Sequence, residues 1–146
     1  STCCCALHIA LLMPPPHSVA YRIAVQSEVE AAEAQGHYAG TGLDLKDGFL
    51  HMSTVESLSG TLSKYFAQCP QELVILEVEL SHPLLSSEGR YIQWEEVATR
   101  NNMEFPHLYG GPLPWECISR IHSVPRDDEG CPQLPEELLA LCKGRD

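Results

Sequence analysis

Leu73-Val74-Ile75-Leu76-Glu77-Val78-Glu79-Leu80 is the stretch on which the fold turns. Its first four residues are apolar without interruption, and the rest alternate acidic with apolar. A strand buried on both faces at one end and reaching solvent at the other has this pattern, so the segment is expected to run through the middle of a sheet. Upstream, Val19-Ala20-Tyr21-Arg22-Ile23-Ala24-Val25 has the β-branched and aromatic content of a strand. Ser27 followed by Glu30 has the form of a capping box, and a helix is expected from there to about Gly36. Residues 37–48, with Gly40, Gly42 and Gly48, read as a loop. Phe49-Leu50-His51-Met52-Ser53 alternates bulky apolar with polar, the period of a half-buried strand. Ser53 or Thr54 then caps an amphipathic helix carrying Val55, Leu58, Leu62, Tyr65 and Phe66.

On the other side, Tyr91-Ile92-Gln93-Trp94-Glu95 repeats the strand pattern, and a polar stretch from Thr99 to Glu104 follows. Phe105 to Pro114 is rich in proline and glycine and is expected as a shaped loop. Trp115 to Val124 reads as a last strand, and Pro135 to Cys142 as a short helix with proline at its start. Three strands follow one another without helices between them, so the expected class is α+β, a mainly antiparallel sheet with two or three flanking helices. A chain of 146 residues suits one domain, expected over 19–146. Residues 1–18 are expected as a flexible tail, because the apolar run from Cys3 to Met13 is too short to span a bilayer and ends at Pro14-Pro15-Pro16.

Twenty Asp and Glu against nine Lys and Arg leave a net charge of −11. Such a field repels phosphate backbones and anionic membranes, which excludes double-stranded nucleic acid as a natural partner. The seven cysteines fall at Cys3-Cys4-Cys5 and at scattered positions without CxxC spacing. Neither a zinc cage nor a disulfide framework is written in them, and reduced thiols in an intracellular, cytoplasmic setting are expected.

Two segments carry the chemistry. In Asp47-Gly48-Phe49-Leu50-His51-Met52-Ser53-Thr54, strand alternation puts His51 and Ser53 on one face and Leu50 and Met52 on the other. The helix that follows offers its N-terminus beside them, a favourable place for a phosphate or carboxylate. In Phe105-Pro106-His107-Leu108-Tyr109-Gly110, the proline extends the residue before it and the glycine permits close approach of a ligand. His51, Ser53, His107 and Tyr109 are expected to converge on one cleft. Glu95, after Trp94, is either a carboxylate of raised proton affinity or an edge charge. A metal site from His51 and His107 lacks any i, i+4 or carboxylate-paired spacing and is not expected.

Taken together, Tyr21-Arg22-Ile23, Gly36-His37-Tyr38, the segment 47–54, Leu73 to Glu79, Trp94-Glu95 and Phe105 to Leu113 resemble the DUF952 family over roughly residues 20–125. The sequence departs from that pattern at Val29, where the family usually has Trp, and at Ser57, where it usually has Gln. The resemblance extends to the ADP-ribosyltransferase fold and to RNA 2′-phosphotransferases, which carry a similar His-Leu-Ser strand running into a helix. It implies a split-sheet cleft for a small nucleotide-like ligand, with NAD a candidate substrate rather than a resident cofactor. On this resemblance Glu95 and His51 are the catalytic candidates, and Arg22, Ser53, Thr54, His107, Tyr109 and Gly110 the ligand-binding ones. The alternative is a non-catalytic pocket protein whose cleft, with the same walls, takes a small ligand or a partner.

Overall fold

The computed structural model describes residues 17–143, so the expected tail up to residue 16 lies outside the described residues. Strand β1 (Val19–Val25) runs directly into helix α1 (Gln26–Gln35). Strand β2 (His37–Tyr38), helix α2 (Gly42–Asp47) and strand β3 (Leu50–His51) follow, and then helix α3 (Leu58–Phe66) and strand β4 (Leu73–Glu79). The second half holds β5 (Tyr91–Val97), β6 (Met103–Tyr109), β7 (Leu113–Pro114), β8 (Ile118–Ser123) and helix α4 (Glu136–Lys143).

Every strand pair is antiparallel. One sheet has the order β1-β4-β8, a second β3-β6-β5, and β2 pairs with β7. The two larger sheets meet where Tyr21 and Ser53 exchange backbone hydrogen bonds of 2.8 and 2.7 Å. The fold is therefore α+β with antiparallel sheets and four helices among the described residues.

β4 is the central strand of its sheet, as its composition requires. Leu73 and Ile75 pack with Tyr21, Ile23, Leu58, Leu62 and Leu138 in a cluster roofed by α3 and α4. Val74, Leu76 and Val78 face the other way, against Ala20, Ala24, Val29, Leu50, Met52 and Leu108. That second cluster fills the space between the two sheets. Burying each such side chain contributes about 1.5–3 kcal/mol, so two-sided burial makes β4 the most costly strand to disturb.

The N-cap of α3 is Ser57, without a side-chain cap bond, rather than Ser53 or Thr54, and three other local expectations are corrected. The first is the start of α1, which takes Val25 as its N-cap without a side-chain bond, because β1 delivers the chain straight into the helix and Gln26 N–H donates to Glu72 C=O. The second is the glycine-rich loop 37–48, which contains α2. Thr41 begins that helix, and the Asp44 carboxylate accepts its N–H at 2.7 Å and its hydroxyl at 3.0 Å. The third is the shaped loop expected at Phe105 to Pro114, where β6 runs instead as a central strand. Pro106 explains the brevity of β3. Its carbonyl accepts from Met52 N–H at 3.2 Å, but it has no N–H to return, so the ladder stops at His51 and the chain turns away to pair Ser53 with Tyr21.

Candidate functional site

The site is organised by a buried charge. Asp44, 3% exposed, receives both terminal nitrogens of Arg22, Nη2 to Oδ2 at 2.7 Å and Nη1 to Oδ1 at 2.9 Å. His51 adds its backbone N–H at 3.0 Å and its Nδ1 at 2.7 Å to the same carboxylate. Burial pushes the Asp44 carboxyl up, but hydrogen bonds from His51 and Arg22 and the Arg22 charge outweigh it and hold the group well below the usual carboxylate range. Arg22 also donates to the His51 carbonyl at 3.0 Å, so one ion pair pins the end of β3 to β1. The other ring nitrogen of His51, Nε2, lies 2.8 Å from Asp47 Oδ2. Both ring nitrogens of His51 are thus taken up by carboxylates.

His51 and His107 are register partners on β3 and β6, and their ring centroids lie 5.3 Å apart. Phe49 lies against both, stacked on His107 at 4.2 Å and tilted over His51 at 4.6 Å. One strand further, Glu95 of β5 takes His107 Nδ1 at 2.9 Å and the Tyr109 hydroxyl at 2.5 Å, both on Oε1. Oε2 has no hydrogen-bond partner among the described residues. The Tyr109 bond, followed by the His107 bond, holds the Glu95 carboxyl below its usual range, opposite to the raised affinity allowed by the sequence. Tyr109, by the same bond, is pushed up to about 12. Burial lowers His107, only partly offset by Glu95.

All of these groups but Tyr109 border a cleft of about 820 Å³ between the β3 end, the β5–β6 hairpin and α3. Arg22, His51, Ser53, Glu95 and His107 line it. Thr54 does not, because it is buried and engaged with Ser57, accepting from its N–H at 3.3 Å and facing its hydroxyl at 3.0 Å. Gly110 is also outside. A Cβ there would sit 2.0 Å from the Gly89 carbonyl, so its role is close packing of two turns rather than approach to a ligand. Tyr109 reaches the site through Glu95 while its ring stacks on Tyr91 at 5.2 Å.

Residues 23–121 match the family described as a protein of unknown function, DUF952. The chain belongs to the DUF952 family. Its solved relatives include protein CC0527 from Caulobacter crescentus, whose crystal structure is 36% identical and aligns with a TM-score of 0.70 over 83% of this chain and 98% of that one. The solution NMR structure of the same Caulobacter protein aligns with a TM-score of 0.65 at the same identity, over 83% and 97%. No curated protein matches.

Sequence reasoning missed two groups in this DUF952 cleft. Asp44 and Asp47 flank His51, Asp47 at i, i+4, which corrects the reading that no such carboxylate spacing accompanies it. Thr41-x-x-Asp44 is the signal that could have found the first. Arg100 is the other, folding back from the β5–β6 hairpin over Phe105 at 5.0 Å. It donates Nη1 to the Thr61 hydroxyl at 2.9 Å and Nη2 to the Ser57 carbonyl at 3.3 Å, both uncharged acceptors. Thr61 in turn lies 3.4 Å from the Ser53 hydroxyl.

A second histidine between carboxylates lies elsewhere. His122 of β8 has Nε2 2.9 Å from Glu77 of β4 and Nδ1 3.0 Å from Glu137 of α4. Its side chain is 2% exposed and borders no part of the cleft.

Proposed function

We propose that the cleft binds a nucleotide of the NAD or ADP-ribose type and serves glycosyl or ADP-ribosyl transfer. The observation that carries this reading is the clamped Glu95 carboxylate, held anionic by Tyr109 and His107 through one oxygen. When a bond from ribose to a pyridinium base breaks, positive charge develops on the sugar, and a fixed carboxylate beside it stabilises that charge more than the ground state.

Arg100 suits the other end of such a ligand. Its guanidinium has donors beyond the two used on Thr61 and Ser57, and a guanidinium matches two phosphate oxygens at once. The Ser53 and Thr61 hydroxyls lie beside it. A cleft of about 820 Å³ is within the roughly 300–1,000 Å³ usual for small-molecule sites. The net charge of −11 agrees with a small ligand met by local cations rather than a polyanion. In this reading Arg22, Asp44 and His51 shape the wall: their charged groups are already committed to one another. Two antiparallel sheets joined at one backbone bridge beside the cleft also support an ADP-ribosyltransferase-like fold.

Titration calorimetry with ADP-ribose and an assay of nicotinamide release from NAD test the proposal. Glu95→Gln should leave affinity within about threefold and slow release by about 10²-fold or more, as expected for an interaction made in the transition state. Unchanged release in that variant removes Glu95 from the chemistry. Absence of binding by either nucleotide at millimolar concentration leaves a domain that binds another small ligand or a partner.

A further inference from the structure

Two histidines face each other across β3 and β6, and their hydrogen bonds divide them. His51 has a carboxylate on each ring nitrogen, Asp44 on Nδ1 and Asp47 on Nε2, so neither nitrogen is open to a proton from a ligand. His107 has one. Glu95 can only accept, so Nδ1 of His107 carries the hydrogen between them and Nε2 holds the lone pair. Nε2 makes no hydrogen bond among the described residues. The ring borders the cleft and its plane is set by Phe49, stacked 4.2 Å away at 22°.

We infer that His107 is the general base of this site, taking at Nε2 the proton of an acceptor hydroxyl or of water; the inference rests on the transfer reading above. The acceptor oxygen forms a bond to the anomeric carbon as the carbon–nitrogen bond to nicotinamide breaks. That electron pair moves onto the pyridinium nitrogen, which becomes neutral, and the acceptor proton goes to Nε2. Positive charge thus passes from the leaving base to an imidazolium already bonded to Glu95. One carboxylate then has two tasks: Oε1 orients the base, and Oε2 remains for the sugar.

The groups facing His107 agree with this role. Glu95 from β5 and Asp47 from α2 favour its charged form, while His51 from β3 and burial favour the neutral one, and burial is the largest influence. The resting ring is therefore neutral and able to accept, the condition a general base needs.

Nicotinamide release from NAD by the whole chain is the first readout. In the unsubstituted protein the rate should rise with pH along a limb set by His107, and His107→Gln should abolish that limb and slow release about 10²–10⁴-fold with KM little changed. Azide, a nucleophile with no proton to lose, should restore release by His107→Gln and fail to restore it in Glu95→Gln. Release and pH limb unaltered in His107→Gln, or no rescue by azide, would overturn the assignment while leaving the transfer reading in place. No release from NAD by the unsubstituted chain overturns the transfer reading and the base role with it. Because His107 is buried and its variant can misfold, nitrogen-15 spectra of the unsubstituted protein give a second check. They should show the Nδ1–H tautomer at neutral pH, and a hydrogen on Nε2 contradicts the inference.

Discussion

His51 and His122 are each held between two carboxylates, yet they sit in opposite surroundings. His51 is 30% exposed, bordered by a large cleft and by Phe49, His107 and the Arg22–Asp44 pair. His122 is closed in between β4, β8 and α4, where its two bonds tie the C-terminal helix to the sheet. A histidine between two carboxylates is thus a wall in one place and a fastening in the other. What separates them is the empty volume beside the first and the second histidine that faces into it. A constellation of residue types identifies a candidate, and access decides its use.

Breaking the anchor of each trio should expose the difference. Asp44→Ala is expected to have the largest effect, about 3–5 kcal/mol in urea unfolding, because it leaves the buried Arg22 charge without its partner and unpins β3 from β1. Nucleotide affinity should fall in the same variant. His122→Ala should cost less, about 1–3 kcal/mol, by removing two hydrogen bonds from α4 and β4, and should leave nucleotide affinity unchanged. Equal effects on affinity would erase the distinction between wall and fastening.

Acid sharpens the contrast. The Asp44 carboxyl is depressed in the fold, so its contribution is fully present above the unfolded aspartate value of about 3.9 and is lost as pH falls through the folded value. Stability should decline as pH drops below about 4, and Asp44→Ala should flatten that decline. His122→Ala should preserve most of the slope. Glu137, which His122 also holds below its usual range, adds a contribution of the same sign. The reverse outcome, a slope that follows His122 and ignores Asp44, would place the acid-sensitive contact in the wrong half of the molecule.

Tyr109→Phe should have the smallest effect on folding, with the unfolding midpoint almost unchanged, because the pair it breaks is only part-buried and the ring stays stacked on Tyr91. Its mark should be chemical instead. Loss of the Tyr109 bond removes the largest influence lowering Glu95, so carbon-13 titration should find that carboxyl shifted upward. A Glu95 titration that does not move would show that Tyr109 does not set its charge.

How much of this was legible follows from which forces leave a pattern along the chain. β4 was readable because two-sided burial demands an unbroken apolar run, and His51 with Ser53 because a strand separates odd from even positions. β6 was not, since Pro106 normally argues against a central strand; here its missing N–H falls where β3 ends, a fact of pairing that no local window contains. Asp44 was hidden by the glycines around it, although Thr41-x-x-Asp44 spells a helix start. Arg100 belongs to a polar stretch with no pattern of its own, and only the folding of the hairpin over α3 carries it to Thr61 and Phe105. Contacts made by tertiary pairing leave no period to read.

On the proposed function, the His51–His107 cleft and not the His122 cluster is the ligand site. Titrating ADP-ribose into the nitrogen-15-labelled chain and following amide shifts tests it directly. Saturable shifts are expected at Ser53, Thr61, Glu95 and Arg100, with His122 and Glu137 unmoved. Shifts centred on His122, or none anywhere at millimolar ADP-ribose, would contradict it.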